Sequence, residues 1–282
     1  MYSPRRPARA AFPTVEALRR RVIAGLHAAL GDAEITLAQD DPNTLCVETA
    51  ASGANMVHLG NLATELVGQL PRPAAEARVE AFIAMVRSLA RGGPALAADR
   101  LYPALRHRDF PARSGCDPLT RPGPGDCLAV LMSDEGAHTA MVTEAGLDAA
   151  GLDSAGAWDA AEENFARILT RLVLFAGPGG LLSLELEDYD WLGSSLLLAP
   201  AVIAHVMAAQ DTGPVYLAAP SRHSVEMIPV AAPGALTTLA AWMAERLAEP
   251  HPQSDLVFRY AADARAPRPA FAFENGRLRP LS

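Results

Sequence analysis

The stretch DYDWLGSSLLLAP, residues 188–200, gathers side chains whose types and spacing suggest chemistry. They are two acids, one tryptophan and two serines: Asp188, Asp190, Trp191, Ser194 and Ser195. A serine nucleophile on a strand-to-helix turn has the pattern G-x-S-x-G, because small residues let the strained turn expose the hydroxyl. Leu197 stands where that pattern needs its second glycine. We therefore interpret Gly193 as a turn residue and Ser194 or Ser195 as the cap of a following helix.

A ligand-binding role for the same turn stays open. The preceding segment LLSLELEDYD alternates leucines with polar residues, which is typical of a half-buried strand. The acids, the tryptophan and the serines then meet at the end of that strand. Because a strand-to-helix turn directs free N–H groups outward, it can hold an anion or a carboxylate.

The loop PSRHS, residues 220–224, adds a cation and a titratable imidazole. Arg222 and His223 lie between two predicted strands, so they form either a ligand-facing loop or an ordinary hairpin turn. Together with Asp190 and one of the two serines, His223 completes a serine–histidine–aspartate set. Such a set is defined by its geometry and not by its composition. A serine hydrolase-like enzyme is therefore an alternative function.

The composition excludes several catalytic and cofactor classes. The chain contains no lysine, which removes Schiff-base chemistry, a Walker A phosphate loop and protein-kinase catalysis. The glycine-rich FAGPGG, residues 175–180, matches no dinucleotide-binding fingerprint. Cys46, Cys116 and Cys127 lack the spacing of zinc ligands, and no two histidines are four residues apart. We predict neither a metal nor a cofactor.

Length, charge and hydropathy predict a cytoplasmic globular protein. The chain has 282 residues, and 50% of them are apolar, which is enough for a substantial core. Its formal net charge of -8 argues against nucleic-acid binding. The odd number of widely spaced cysteines favours a reducing compartment. No apolar run reaches the ~18 residues of a membrane span.

Hydrophobic periodicity predicts strands and helices in blocks. Thr14 is a candidate N-cap for a helix over 15–30, which Gly31 ends. Strand pairs and helices then follow without strict alternation, and a helix over 195–209 follows the Gly-Ser-Ser turn. This order favours an α+β fold with mostly antiparallel sheets.

The same pattern suggests two lobes. Residues 1–13 are predicted to form a mobile basic arm, and 14–110 and 126–282 to form the N-terminal and C-terminal α+β lobes. The segment 111–125 is rich in proline and glycine. It is therefore either the boundary between the lobes or an exposed loop.

Five short motifs occur in order over nearly the whole chain. They are RLYPALR (residues 100–106), DFP (109–111), AxxNFARIL (161–169), DYDxxxSSxLL (188–198) and YLAAPSRHS (216–224). Together they resemble the YtpQ-like family of uncharacterised bacterial proteins. The resemblance implies an α+β protein without an assigned activity, and it supplies no catalytic residues. Arg222 and His223 depart from it, because an acidic residue is expected there in relatives.

Two functions from different classes follow. We favour a non-enzymatic binding or adaptor module for a protein, a peptide or a small ligand. The order helix, three strands, helix at the start of the chain is that of small chaperone-like domains, and a partner can add a strand to an exposed sheet edge. The predicted binding residues are Asp188, Asp190, Trp191, Ser194, Ser195, Arg222 and His223. The hydrolase alternative requires Ser195 and His223 to lie within hydrogen-bond reach.

Overall fold

The chain forms two compact units, each with its own hydrophobic core. The computed structural model describes residues 11–37, 43–49, 53–68, 71–90, 96–114, 117–136, 139–248 and 252–281. The units comprise Met1–Ala95 and Leu96–Ser282. Both combine helices with antiparallel sheets, so the predicted α+β class is confirmed.

The first unit combines three helices of the described chain with a small antiparallel sheet in the order β1-β2-β3. Its elements are α1 Val15–Leu30, β1 Glu34–Leu37, β2 Thr44–Thr49, β3 Gly53–His58, α2 Gly60–Leu66 and α3 Arg72–Ala90. α1 has the predicted bounds, because the Thr14 hydroxyl accepts a hydrogen bond from the N–H three residues later and Gly31 ends the helix. The buried face of α1 consists of Leu18, Val22 and Leu26.

The packed part of the first unit begins inside the segment predicted to be a mobile arm. Residues 1–10 lie outside the described stretches, but Phe12 is only 5% exposed and belongs to the core. Its carbonyl accepts a hydrogen bond from Gly68 N–H at 3.1 Å. Burial of an aromatic ring favours a fixed position. The prediction that the mobile arm covers residues 1–13 is therefore wrong at Phe12, which is held in the core.

The second unit contains two antiparallel sheets, α-helices and short 3-10 helices. The strands are β4 Leu101–His107, β5 Thr120–Pro122, β6 Cys127–Asp134, β7 Thr139–Met141, β8 Leu172–Ala176, β9 Leu182–Leu186, β10 Val215–Ala218, β11 Val225–Pro229, β12 Leu256–Tyr260, β13 Arg268–Glu274 and β14 Arg277–Pro280. The α-helices are α4 Phe110–Ser114, α5 Glu144–Ala150, α6 Ser154–Ile168, α7 Pro200–Ala209 and α8 Ala235–Arg246. The 3-10 helices are Ala98–Arg100, Leu169–Arg171, Pro178–Gly180 and Asp190–Leu198.

The two sheets of the second unit share a core. The smaller sheet has the order β4-β6-β5, with β7 also paired to β6, and the larger has the order β14-β13-β12-β10-β11-β9-β8. Leu105 of β4, Leu184 of β9 and Leu217 of β10 belong to one cluster of buried residues. Leu196 of the 3-10 segment Asp190–Leu198 is part of the same cluster. This 3-10 segment therefore lies where elements of both sheets pack together.

The division between the units falls earlier than the sequence suggested. Residues 111–125 hold most of α4 and all of β5, and they lie inside the second unit. β4, which we placed in the lobe 14–110, pairs with β6 along all seven of its residues. The structure therefore divides the chain after Ala95. Proline and glycine content marks loops, but long-range strand pairing decides which unit a strand joins.

Two helices replace the single one predicted over 195–209. The 3-10 segment Asp190–Leu198 ends at Ala199, and α7 begins at Pro200, a residue that suits the first turn of a helix. The two axes differ by 92°.

Among the described residues no single helix is long and apolar enough to cross a membrane. Only the bent pair Asp190–Leu198 and Pro200–Ala209 has the length and composition of a span.

Candidate functional site

Two chain segments meet at the candidate site, the start of the 3-10 segment Asp190–Leu198 and the loop 220–224 between β10 and β11. Asp188, just after β9, has a left-handed backbone with a φ of 65°, which turns the chain towards the 3-10 segment. Ser194 N–H then donates a hydrogen bond to the Arg222 carbonyl at 3.0 Å. The main chains of the two segments are thus bonded directly to each other.

Gly193 permits this close approach. A β-carbon at Gly193 would lie 1.8 Å from the carbonyl oxygen of His223 and 2.8 Å from the nitrogen of Ser224. Both distances are far inside van der Waals contact, and the obstacles are backbone atoms that cannot rotate away. Only glycine therefore fits the observed geometry at this position.

Ser194 and Ser195 lie inside the 3-10 segment and cap no helix. Both residues are fully buried. The Ser195 hydroxyl oxygen accepts a hydrogen bond from the N–H of Leu105 in β4 at 2.9 Å. The Ser194 hydroxyl has no hydrogen-bond partner among the described residues. The capping interpretation is wrong, because α7 begins after Ala199 without a side-chain cap.

The structure brings Asp190 to His223 but does not bring a serine hydroxyl to either. The Nδ1 atom of His223 lies 3.5 Å from the Asp190 carboxylate. A serine nucleophile has to hydrogen-bond to its base. The Ser195 hydroxyl is bonded to β4 instead, and the Ser194 hydroxyl has no partner in the described chain. Of the serine–histidine–aspartate set, the structure therefore forms only the contact between Asp190 and His223.

Four of the predicted residues lie side by side, and we call Asp190, Trp191, Arg222 and His223 the turn–loop patch. The side chains of Asp190 and His223 are 77% and 34% exposed. The imidazole holds the pKa of Asp190 below its ordinary value by hydrogen bonding to the carboxylate. The Trp191 ring packs edge-on against Tyr102, with the ring centroids 5.9 Å apart. The patch thus combines charge with an anchored aromatic ring.

Asp188 belongs to a different contact. Its carboxylate accepts a hydrogen bond from the Arg171 guanidinium at 2.5 Å, and both side chains are largely exposed. Exposed ion pairs of this kind contribute little to stability. The pair lies at the turn after β9, so Asp188 is not part of the patch.

Arg222 is the half-buried cation of the patch. Its Nε atom is buried and has no hydrogen-bond acceptor among the described residues. Burial lowers the pKa of Arg222, and the Asp190 carboxylate offsets part of that effect. A buried guanidinium donor without an acceptor is costly in a folded protein, so this group has hydrogen-bonding capacity left over at the patch.

Arg106 lies next to the patch and is not among the binding residues predicted from the sequence. It is the sixth residue of β4 and only 5% exposed. Its guanidinium donates hydrogen bonds to the Leu105 carbonyl at 2.7 Å and the Trp191 carbonyl at 3.4 and 3.5 Å. Burial, followed by repulsion from Arg222, lowers the pKa of Arg106 to about 9. The sequence holds one signal for this residue, an arginine that directly follows the apolar run LYPAL. An arginine in a buried strand is rarely without a partner, so its position indicates a specific contact.

No metal centre is formed by the described residues, since no three His, Cys, Asp or Glu side chains converge there. Cys116 and His138 lie outside the described stretches.

Comparison of the chain with protein-family models, with curated proteins and with solved structures finds no match. The resemblance to the YtpQ-like family therefore remains a prediction.

Proposed function

We propose that this protein is a cytoplasmic, non-enzymatic binding module that holds a small ligand at the turn–loop patch. The observation that carries the proposal is the convergence of Asp190, Trp191, Arg222 and His223 on a backbone that is locked by Gly193. Sites that recognise small ligands combine a few convergent polar groups with aromatic surface on a pre-formed framework. The Nε donor of Arg222, which has no acceptor in the described chain, adds a group that a ligand can satisfy.

The hydrolase alternative has less support from the same residues. A fully buried hydroxyl that accepts a hydrogen bond from β4, as in Ser195, has one of its two lone pairs occupied and is shielded from a substrate in solvent. The Asp190–His223 pair on its own is as suitable for recognition as for catalysis, because an imidazole beside a carboxylate both donates and accepts hydrogen bonds.

A thermal-shift screen with the intact chain tests the proposed function. The compounds should cover cationic, neutral and anionic small molecules, and the chain should be compared with its Trp191→Ala and His223→Ala variants. We expect at least one chemical class to raise the melting temperature of the wild type by about 2 °C or more and to have no such effect on the variants. If no class does so, the proposal is overturned. Ester hydrolysis that disappears in Ser195→Ala would establish the hydrolase instead.

An extended peptide is the second candidate ligand. β8 is an edge strand that pairs only with β9 among the described strands, and its Leu174 and Phe175 are 37% and 52% exposed. An exposed apolar edge can accept a further strand. We expect Phe175→Lys to abolish binding of such a peptide, measured by fluorescence anisotropy, and to leave binding at the turn–loop patch unchanged. Equal peptide affinities for wild type and variant would contradict this second candidate.

A further inference from the structure

Arg106 is a buried positive charge that has no counter-ion among the residues that the structure describes. Among the described residues no carboxylate lies within ion-pairing distance of it, and its hydrogen-bond acceptors there are the carbonyls of Leu105 and Trp191. The Phe110 ring, 5.9 Å from the guanidinium carbon, supplies a weak cation–π contact. Buried charges in folded proteins are normally compensated by an opposite charge. Two neutral carbonyls and one ring do not supply that charge.

A second guanidinium is close to the first. Repulsion from the Arg222 charge adds to burial in lowering the pKa of Arg106. Both arginines are also tied to the same 3-10 segment, Arg106 through the Trp191 carbonyl and Arg222 through its own carbonyl, which binds Ser194 N–H. The paired charges and the unsatisfied Nε of Arg222 favour an anion as the missing partner.

We propose that Arg106 and Arg222 bind the oxyanion group, a phosphate or a carboxylate, of a small ligand held at the turn–loop patch. This inference rests on the proposed binding function and names the chemistry of its ligand. The planar guanidinium fork matches both groups, because two parallel N–H donors reach two oxygens of the anion. Arg106 forms the buried base of the site, and the partly exposed Arg222 and His223 form its rim.

Asp190 is the negative group that faces this site. Its exposed carboxylate is beside His223 and interacts with the charge of Arg222, although no Asp190–Arg222 ion pair forms. An incoming anion competes with this carboxylate for the positive charges. Removal of the Asp190 charge should therefore strengthen anion binding. If Arg222 served only to balance the charge of Asp190, the same change would bring no gain in anion affinity.

Isothermal titration of the full chain with inorganic phosphate and with succinate tests the inference, at a constant ionic strength set by sodium chloride. We expect saturable binding of at least one of the two. Arg222→Gln should weaken that binding about tenfold or more, because it removes a charge-assisted hydrogen bond. Asp190→Asn should strengthen it about threefold, because it removes a nearby like charge. Arg108→Gln, an exposed arginine just after β4, is the control with the same change in charge and should leave binding unchanged.

Arg106→Lys is a further variant, since lysine keeps the positive charge but lacks the paired N–H donors of the guanidinium. It should fold, as judged by circular dichroism, and bind the anion about tenfold more weakly. If Arg106→Lys unfolds, the Arg222 and Asp190 variants still decide the question. Binding of phosphate alone or succinate alone supports the inference and identifies the source of the oxyanion.

Two results would overturn the inference, and they differ in what they say about the proposed function. If neither anion binds, or if Arg222→Gln binds as tightly as the wild type, the oxyanion site is wrong. A neutral or cationic compound whose thermal shift depends on Trp191 and His223 would then preserve the binding module with a different ligand class. Absence of any shift in that screen would overturn both.

Discussion

Ser194 and Ser195 are neighbours in the sequence but have different polar surroundings. Both are fully buried, yet the Ser195 hydroxyl accepts the Leu105 N–H and the Ser194 hydroxyl is without a partner in the described chain. A buried polar group contributes to stability when it is bonded and costs free energy when it is not. The two positions therefore form a natural matched pair.

We expect Ser195→Ala to lower the free energy of unfolding by about 1–3 kcal/mol, because it leaves the Leu105 N–H buried without an acceptor. Ser194→Ala should be neutral or stabilising, since it removes a hydroxyl that makes no hydrogen bond to any described residue. Urea unfolding followed by tryptophan fluorescence measures both. Equal losses for the two variants would show that the Ser195 bond has no special role.

Gly193 is the residue on which the close approach of the two segments depends. Gly193→Ala places a methyl group on the His223 carbonyl, so the backbone has to move. We expect a loss of about 3 kcal/mol in the free energy of unfolding, at the upper end of overpacking costs. Gly213→Ala, where a β-carbon meets nothing within 4 Å, is the control and should cost far less. A similar, small effect at both glycines would mean that the loop 220–224 adapts easily.

At the scale of elements, β11 carries a buried acid into the larger sheet. Glu226 is 0% exposed, and its carboxylate accepts hydrogen bonds from Ser224 at 2.7 Å and Ser183 at 3.2 Å. Burial raises the pKa of Glu226, and the hydrogen bonds offset part of the rise. The strand pattern VEMIPV gave no hint of this, because a glutamate between apolar residues is ordinarily placed on the exposed face of a strand.

Glu226 should make stability depend on pH. Its pKa is raised in the folded protein, so stability is fully present below the unfolded value of about 4.3 and falls as the pH rises through the folded pKa. Glu226→Gln removes this titration. We expect its melting temperature to match that of the wild type near pH 4 and to exceed it at pH 8. Glu245→Gln, on the exposed face of α8, is the matched control. A difference between Glu226→Gln and wild type that does not change with pH would refute the argument.

At the scale of the whole molecule, the candidate site belongs to one unit. The turn–loop patch and Arg106 all lie within Leu96–Ser282, which has its own core clusters. The first unit has a separate core. A unit with a complete core can fold alone.

We therefore expect a fragment of residues 96–282 to unfold cooperatively and to retain the ligand binding of the full chain. Differential scanning calorimetry measures the first property, and isothermal titration with the anion that the full chain binds measures the second. A fragment that melts over a broad range without a heat-absorption peak would show that the second unit depends on the first.

The sequence by itself determined the element types and many of their bounds. The period of α1, its Thr14 cap and its Gly31 stop are local signals, and the strand pairs of both units follow from alternation and turn residues. It also named Asp190 and His223 as candidates, and the fold brings these two side chains to 3.5 Å from each other. These features could be predicted because each depends on residues close together in the chain.

The tertiary structure alone decided how the site is built. Ser195 is bonded to Leu105, which lies 90 residues away, and Arg106 to Trp191, which lies 85 residues away. Such contacts depend on how β4 packs against the 3-10 segment, and no local pattern encodes that packing. The sequence therefore predicted which residues form the turn and the loop. Only the fold showed that the serines are part of the core and that a buried arginine, with no counter-ion in the described part of the chain, lies beside the turn–loop patch.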